Sequence, residues 1–505
     1  MNAGRRLAAA GAALLLAACA AGPDPSAPPP ELPVSWQLES PWRQAEPNDA
    51  LDKGPWWLRF GDPQLDALAR QALAGSPTLA LASARLAQAR ATLAASEAGQ
   101  LPQLGLGARP SRLKSSANRP LSSYGTTNSS TVQNDFALSL TASYEIDLAG
   151  RVQQLVEGAA ASAAQSAAEL ENTRLLLTAE LATSYFNLRS TDIELDVLSR
   201  SIALQRRALE LVSARHDLGA VSGLDVAQQD ALLAATLVQV DLLKKQRAQY
   251  EHAIATLTGT PAPQFALAAD SRPLAPPAIP LGVPSEALQR RPDVAAAGRA
   301  MAAANAQIGV ARAAFYPSIV LAPMIGLDSR NLSTLFDAPS LLWSIGVSAT
   351  QVLFDGGRLR ANVDFARGGY DASVASYRRV VLTAMQEAQD GISGLAALDR
   401  AFTQSQQAVA AARRVHDMAT SRYEGGASTY LDVITAQQSL LTAERQAAQL
   451  AGQQLLTSVF LVKALGGDWC GVDLGATPAA EAACPAPARR VTGVTANDPP
   501  APAGS

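Results

Sequence analysis

Two stretches of the chain hold apolar residues at helical spacing for longer than any compact domain needs. From Gly150 to Arg215, and again from Gly357 to Arg422, 65 residues pass without a proline. Read as helix at about 1.5 Å per residue, each would run on the order of 100 Å. In the first, Leu181, Leu188, Leu195, Ile202 and Leu209 recur every seven residues, the seam of a coiled coil. The second keeps Ala388, Leu395, Phe402 and Val409 and then breaks at His416. Gly219 and Gly425-Gly426 reverse the chain, and returning helices are predicted over Leu224 to Leu257 and Leu431 to Leu465. Abundant alanine lets such helices approach closely.

A period of two stands inside this helical pattern. Phe136, Leu138, Leu140, Ala142, Tyr144 and Ile146 alternate with Ala137, Ser139, Thr141, Ser143 and Glu145. Trp343, Ile345, Val347 and Ala349 alternate with Ser344, Gly346, Ser348 and Thr350. Partner strands are predicted near Leu104-Gly105-Leu106 and from Ile319 to Leu327. Alternation places one face against an apolar medium and the other against a polar one. About ten residues also suits a tilted membrane-spanning strand, although soluble hairpins packed on helices would alternate in the same way. Four strands cannot close a membrane barrel, and an open sheet edge cannot face lipid. If the strands span a membrane, several protomers share one barrel; three would supply twelve strands, an even number in the bacterial range.

The two halves are copies of each other. Ser76-Pro77-Thr78-Leu79 and Arg291-Pro292-Asp293-Val294 each open an alanine-rich helix that ends at a proline, Pro102 or Pro317, with an offset of 215. From Gly150-Arg151 and Gly357-Arg358 onward the offset is 207, and no gap is needed. It pairs Glu180 with Glu387, Leu188 with Leu395 and Gly219 with Gly426. It continues through Leu224-Asp225-Val226 and Leu431-Asp432-Val433 to Gly259 and Gly466. The first copy carries the longer loop between its strands.

Composition changes the picture mainly at the ends. Met1–Ala18 carries Arg5-Arg6 and an apolar run from Leu7, the grammar of an export signal. Leu16-Ala17-Ala18-Cys19 resembles a bacterial lipobox, which implies a diacylglycerol on the Cys19 sulfur. Ala20 is not the aspartate that holds enterobacterial lipoproteins at the inner membrane, so an outer-membrane destination is favoured. A proline-rich tether follows, and the chain closes in a tail rich in proline and alanine from Pro485. The organisation predicted is a leader (1–18), tether (19–55), first repeat (56–259, strands about 103–147), linker (260–284), second repeat (285–469, strands about 318–353) and C-terminal segment (470–505). Net charge is −3, with no concentrated basic surface for nucleic acid. With Cys19 acylated, Cys470 and Cys484 remain, an even number suited to a disulfide in an oxidising compartment.

Catalytic patterns are weak. Ser111-Arg112-Leu113-Lys114 matches Ser-x-x-Lys by chance, is expected in a hairpin loop, and lacks companion motifs. His216, His252 and His416 are far apart without ligand spacing, so no metal is expected. Gly105-Leu106-Gly107 precedes no helix and is not a phosphate loop.

The lipobox with Cys19-Ala20-Ala21-Gly22-Pro23-Asp24, the run Trp56-Trp57-Leu58-Arg59-Phe60-Gly61-Asp62-Pro63-Gln64-Leu65, and the repeated Leu-Asp-Val resemble the outer-membrane efflux proteins. These are the TolC-like outer membrane factors, in their lipidated NodT-type branch. Ser76 departs from the family's usual asparagine, and serine caps helices as well. The resemblance implies a mainly helical chain with membrane β-structure: a homotrimeric twelve-stranded barrel continued by a periplasmic α-helical barrel. It implies a passive duct, not an enzyme, with no cofactor beyond the lipid. Its partners would be a periplasmic adaptor, an inner-membrane resistance–nodulation–division pump and outer-membrane lipid. Small-molecule efflux is the first reading and a type I protein secretion duct the alternative. By the same alignment Tyr423, Leu431, Asp432 and Thr435 belong to a periplasmic constriction, and Gly219, Ala220, Gly426 and Ala427 to tips that meet the adaptor. Ser428 stands where some members carry a gate arginine, and Thr435 where others carry a second aspartate. The alternative for Asp432 is a helix-start residue favoured by the dipole.

Overall fold

The computed structural model of the chain describes residues 55–116, 131–273, 275–279 and 290–467. Cys19 with its leader and most of its tether, and Cys470 and Cys484, lie outside the described residues. After a 3-10 turn at Trp56–Phe60 come α1 (Pro63–Gly75), α2 (Pro77–Ala98), β1 (Gln103–Ser115), β2 (Thr131–Ile146), α3 (Arg151–Asp217) and α4 (Gly223–Leu257). The second half gives α5 (Pro292–Ala313), β3 (Ser318–Ser329), β4 (Leu341–Thr350), α6 (Arg358–Glu424) and α7 (Tyr430–Ala464).

The duplication holds to the residue. Helices α3 and α6 each have 67 residues, α4 and α7 each 35, and α2 and α5 each 22. Their ends keep the offsets of 207 and 215 read from the sequence. Gly219 and Gly426, with φ of 72° and 73°, turn the long helices back. A β-carbon disfavours that left-handed conformation, which is why glycine stands at both.

The chain divides into two compact units, and each draws on both repeats. One joins Pro77–Arg174 with Arg291–Met385. Its strands make one antiparallel sheet in the order β1-β2-β3-β4. Register puts Leu106, Leu140, Ile325 and Trp343 in one row across all four strands, with Ala108, Leu138, Leu327 and Leu341 in the next row of that face. Gly105, Thr141, Met324 and Ser344 line the other face. The apolar face is uncovered: Leu106 is 76% exposed and Trp343 70%. Hairpins packed on helices would bury that face, so the soluble alternative fails. Helices α3 and α5 approach closely, and a β-carbon on Gly158 would sit 3.4 Å from that of Ala306.

Of the described residues, the other unit holds those from 55 to Ser76, those between Leu175 and Arg290, and those from Gln386 to 467. The predicted seam runs through its core: Leu181, Leu188 and Ile202 are buried, and Leu195 packs on the cluster of Val197, Leu198, Leu243 and Leu441. In the second copy Ala388 and Leu395 are buried, while Phe402 and Val409 are half-buried. Among the described residues no helix is long and apolar enough to cross a membrane.

Candidate functional site

The two helical turns are built alike. The Gly219 amide donates to His216 O (2.8 Å) and the Ala220 amide to Arg215 O (2.8 Å). Gly426 donates to Tyr423 O (3.1 Å) and Ala427 to Arg422 O (2.8 Å), closing the same Schellman turn. Gly219, Ala220, Gly426 and Ala427 are all exposed. Each returning helix starts with a capping box. Ser222 N–H donates to Asp225 Oδ2, and Thr429 N–H to Asp432 Oδ2, both at 3.3 Å. The Thr429 hydroxyl also donates to Asp432 Oδ2 (3.3 Å). Asp432 is therefore a helix-start residue, and its side chain is exposed as well.

The four residues assigned to the constriction do not share one surface. Leu431 is 56% exposed, Thr435 is exposed, and the Thr435 hydroxyl donates to Leu431 O (2.8 Å). Tyr423 is buried instead, with Val212, Tyr430, Val433 and Ile434. Its ring lies 5.1 Å from that of Tyr430, with the Arg215 guanidinium 5.0 Å from its centroid. The phase of α6 turns Tyr423 toward α3 and α7, so it supports the turn from within. The Ser428 hydroxyl is buried without a hydrogen-bond partner.

Tyr430 and Gln229 were not legible as site residues. Tyr430 OH donates to Gln229 Oε1 (2.8 Å), and fully buried Gln229 donates to Gln205 O (2.9 Å). Burial, with Tyr423 and Asp225 adding, pushes the Tyr430 phenol above its ordinary range. The available signal was a break in the repeat: the offset that matches the halves elsewhere sets Tyr423 against His216 and Tyr430 against Gly223.

A second polar centre explains the tryptophan-rich run. Asp62 caps α1, accepting from the Gln64 amide (2.9 Å) and the Leu65 amide (3.4 Å) through Oδ1. Its Oδ2 accepts from Tyr185 OH (2.6 Å) and Arg189 Nη1 (3.1 Å). Arg189, with its side chain 2% exposed, also donates to Asp270 O (3.0 Å) and Arg272 O (3.1 Å) and pairs with Asp270 Oδ2 (3.1 Å). Asp192 takes Arg247 Nε (2.6 Å) and the Asp270 amide (3.0 Å). Trp56 Nε1 donates to Thr178 Oγ1 (3.1 Å), and Phe60 packs on Phe186 at 4.8 Å. The segment before the second repeat is thus held to α3 and α4 by buried charge.

The model of a family described as outer membrane efflux protein matches residues 68–260 and 283–467. The chain belongs to the outer membrane efflux protein family. It is 34% identical over 435 residues to the pyoverdine export outer membrane protein OpmQ of Pseudomonas aeruginosa, covering 85% of this chain and 91% of that one. The toluene efflux pump outer membrane protein TtgF of Pseudomonas putida is 32% identical, covering 82% and 85%. The solved structure of the outer-membrane channel OprN is 30% identical with a TM-score of 0.81, covering 89% and 100%. As a member of the efflux family the chain is a passive outer-membrane channel component and not an enzyme.

Ser111 to Lys114 lie on β1 rather than in a loop, because β1 extends to Ser115. The Ser111 hydroxyl donates to Asp135 Oδ2 (3.4 Å). His216 Nδ1 lies 3.1 Å from Val221 O and His416 Nδ1 3.4 Å from Asp417. Among the described residues no group of three or more His, Cys, Asp or Glu side chains could hold a metal.

Proposed function

We propose that three copies of this chain close one twelve-stranded barrel in the outer membrane, anchored also by lipid on Cys19. The duct would continue into the periplasm, meet an adaptor at Gly219, Ala220, Gly426 and Ala427, and receive cargo from an inner-membrane pump of the resistance–nodulation–division type. The observation that carries this reading is the sheet. Its apolar rows are in register, uncovered, and end in two unpaired strand edges, a surface that lipid and neighbouring strands would satisfy together.

At the turns, Leu431 and Asp432 from three copies would narrow the duct, with Thr435 beside them and Tyr423 behind. An apolar ring excludes by size, and a ring of three carboxylates favours cations. The names of the two relatives, an exporter of pyoverdine and an exporter of toluene, support small molecules as cargo over secreted proteins. Complementation tests this. A strain lacking its own outer-membrane channel should regain tolerance to toxic small molecules when it expresses this chain with its neighbouring adaptor and pump genes. Unchanged sensitivity with the chain folded in the outer membrane contradicts the efflux role.

A further inference from the structure

The apolar face of the sheet changes character at one end. Residues paired across the strands share a face, so its rows can be followed from the helix end of the strands to the hairpin turns. The rows of Leu106 and Ala108 are apolar on all four strands, and Pro110, Phe136 and Ser329 make the next. Beyond them Arg112 lies opposite Asn134, and Lys114 opposite Val132. All four of these side chains are exposed. The strand carboxylates at this end stand on the opposite face. There Asp328 shares a row with Arg109, and Asp135 accepts from Arg109 (3.3 Å) and from the Ser111 hydroxyl (3.4 Å). The three outermost rows of the apolar face hold no carboxylate, so the sheet leaves the two positive charges there unbalanced.

Their height is set by the strand. The ten steps from Ile146 to Phe136 on β2 cover about 34 Å along the chain. At the tilt of a membrane strand that is about 25 Å of height, the apolar band of an outer-membrane barrel. Arg112 and Lys114 then fall about 5 and 10 Å beyond the band, at the level of lipid headgroups. The pair belongs to the first hairpin alone, because the offset of 215 carries Arg112 and Lys114 to Leu327 and Ser329.

We propose, resting on the outer-membrane reading above, that Arg112 and Lys114 hold the phosphates of the outer-leaflet glycolipid, lipopolysaccharide, while its acyl chains lie on the apolar rows beneath. On that reading the helices enter the periplasm, so the hairpin turns and the basic pair face the exterior leaflet. The glycolipid head carries two phosphates, enough for both cations, and a guanidinium fork suits phosphate oxygens. A protein partner would have to cover the basic rows without the apolar rows continuous with them. A lipid covers both.

The test uses the full-length protein purified from outer membranes in detergent, with bound lipid counted by native mass spectrometry. The probes are diphosphorylated lipid A, the same lipid without its phosphates, and phosphatidylglycerol. The natural chain should bind the diphosphorylated lipid on the order of 30-fold more tightly than the dephosphorylated one, the effect of two basic side chains at an anionic surface. Arg112→Gln/Lys114→Gln should lose that preference, and Arg112→Lys/Lys114→Arg should keep it. Equal binding of the two glycolipids by the natural chain, or an undiminished preference in the glutamine variant, overturns the proposal. Phosphatidylglycerol binding as tightly as diphosphorylated lipid A overturns the glycolipid as the occupant. Protein missing from the outer membrane on fractionation overturns the reading beneath the proposal, whereas protein found there without the preference leaves that reading standing.

Discussion

Arg189 is the residue on which most of the buried polar centre depends, because it bonds Asp62, Tyr185 and the backbone of Asp270 and Arg272 at once. Arg189→Met leaves the Asp62 carboxylate buried without its cation. Stability should fall by about 3–5 kcal/mol, as for other broken buried pairs, read by urea unfolding of the protein in detergent. Asp270 gives the centre a pH dependence. Hydrogen bonds from the Arg272 side chain and backbone, with the Arg189 charge adding, hold its carboxyl well below the usual carboxylate range. The folded value lies below the unfolded one, so its contribution is full above about pH 4 and is lost as pH falls toward the folded value. The melting temperature should therefore drop on acidification below about pH 4, and Asp270→Asn should flatten that part of the profile. None of this centre was legible in the sequence. Asp62, Arg189 and Asp270 lie far apart along the chain, and buried charge has no period. The hint was a charged residue at Arg189, one turn from buried Tyr185 on the same helix face.

At the scale of elements the sequence carried nearly everything, because prolines, turn glycines and two distinct periods mark where each helix and strand begins and ends. The strands predicted over about 103–147 are observed at Gln103–Ser115 and Thr131–Ile146. What failed was the direction of one side chain. Tyr423 points into the turn, where residues of α3 and α7 pack on its ring, and not outward with Leu431 and Asp432. The capping box makes two substitutions at Asp432 informative. Asp432→Asn keeps a cap acceptor and removes the charge, so cation preference should fall while helix stability holds. Asp432→Ala loses both, costing about 1 kcal/mol at the start of α7. Equal stability of the two variants by hydrogen exchange across Thr429–Val433 would contradict the cap. Tyr430→Phe strands Gln229 Oε1 in the interior and should cost about 1–3 kcal/mol, loosening the turn that carries Leu431. Faster exchange of the α7 amides would register that loosening.

The chain is a channel component, and the proposed assembly of several copies would satisfy the strand edges that one chain leaves open. The strand number pointed to several copies before any fold was visible, since four strands leave two edges open. The pairing of β2 with β3 was not legible in the sequence, because periodicity fixes which face a residue takes and not which residue it meets. The proposed lipid on Cys19 would add a second anchor. Mass spectrometry of the mature protein should find an acylated N-terminus at Cys19, and Cys19→Ala should lose the lipid while the barrel keeps the protein in the membrane. An unmodified N-terminus elsewhere would contradict the anchor. The central claim is a passive duct narrowed at its helical turns, and single-channel recording in planar bilayers tests it most directly. The full-length protein should give discrete, cation-preferring steps without any energy source. The Leu431→Ala/Asp432→Ala variant should give larger steps with weaker cation preference. Absence of steps from both proteins, or identical conductance and selectivity in the two, would contradict the account.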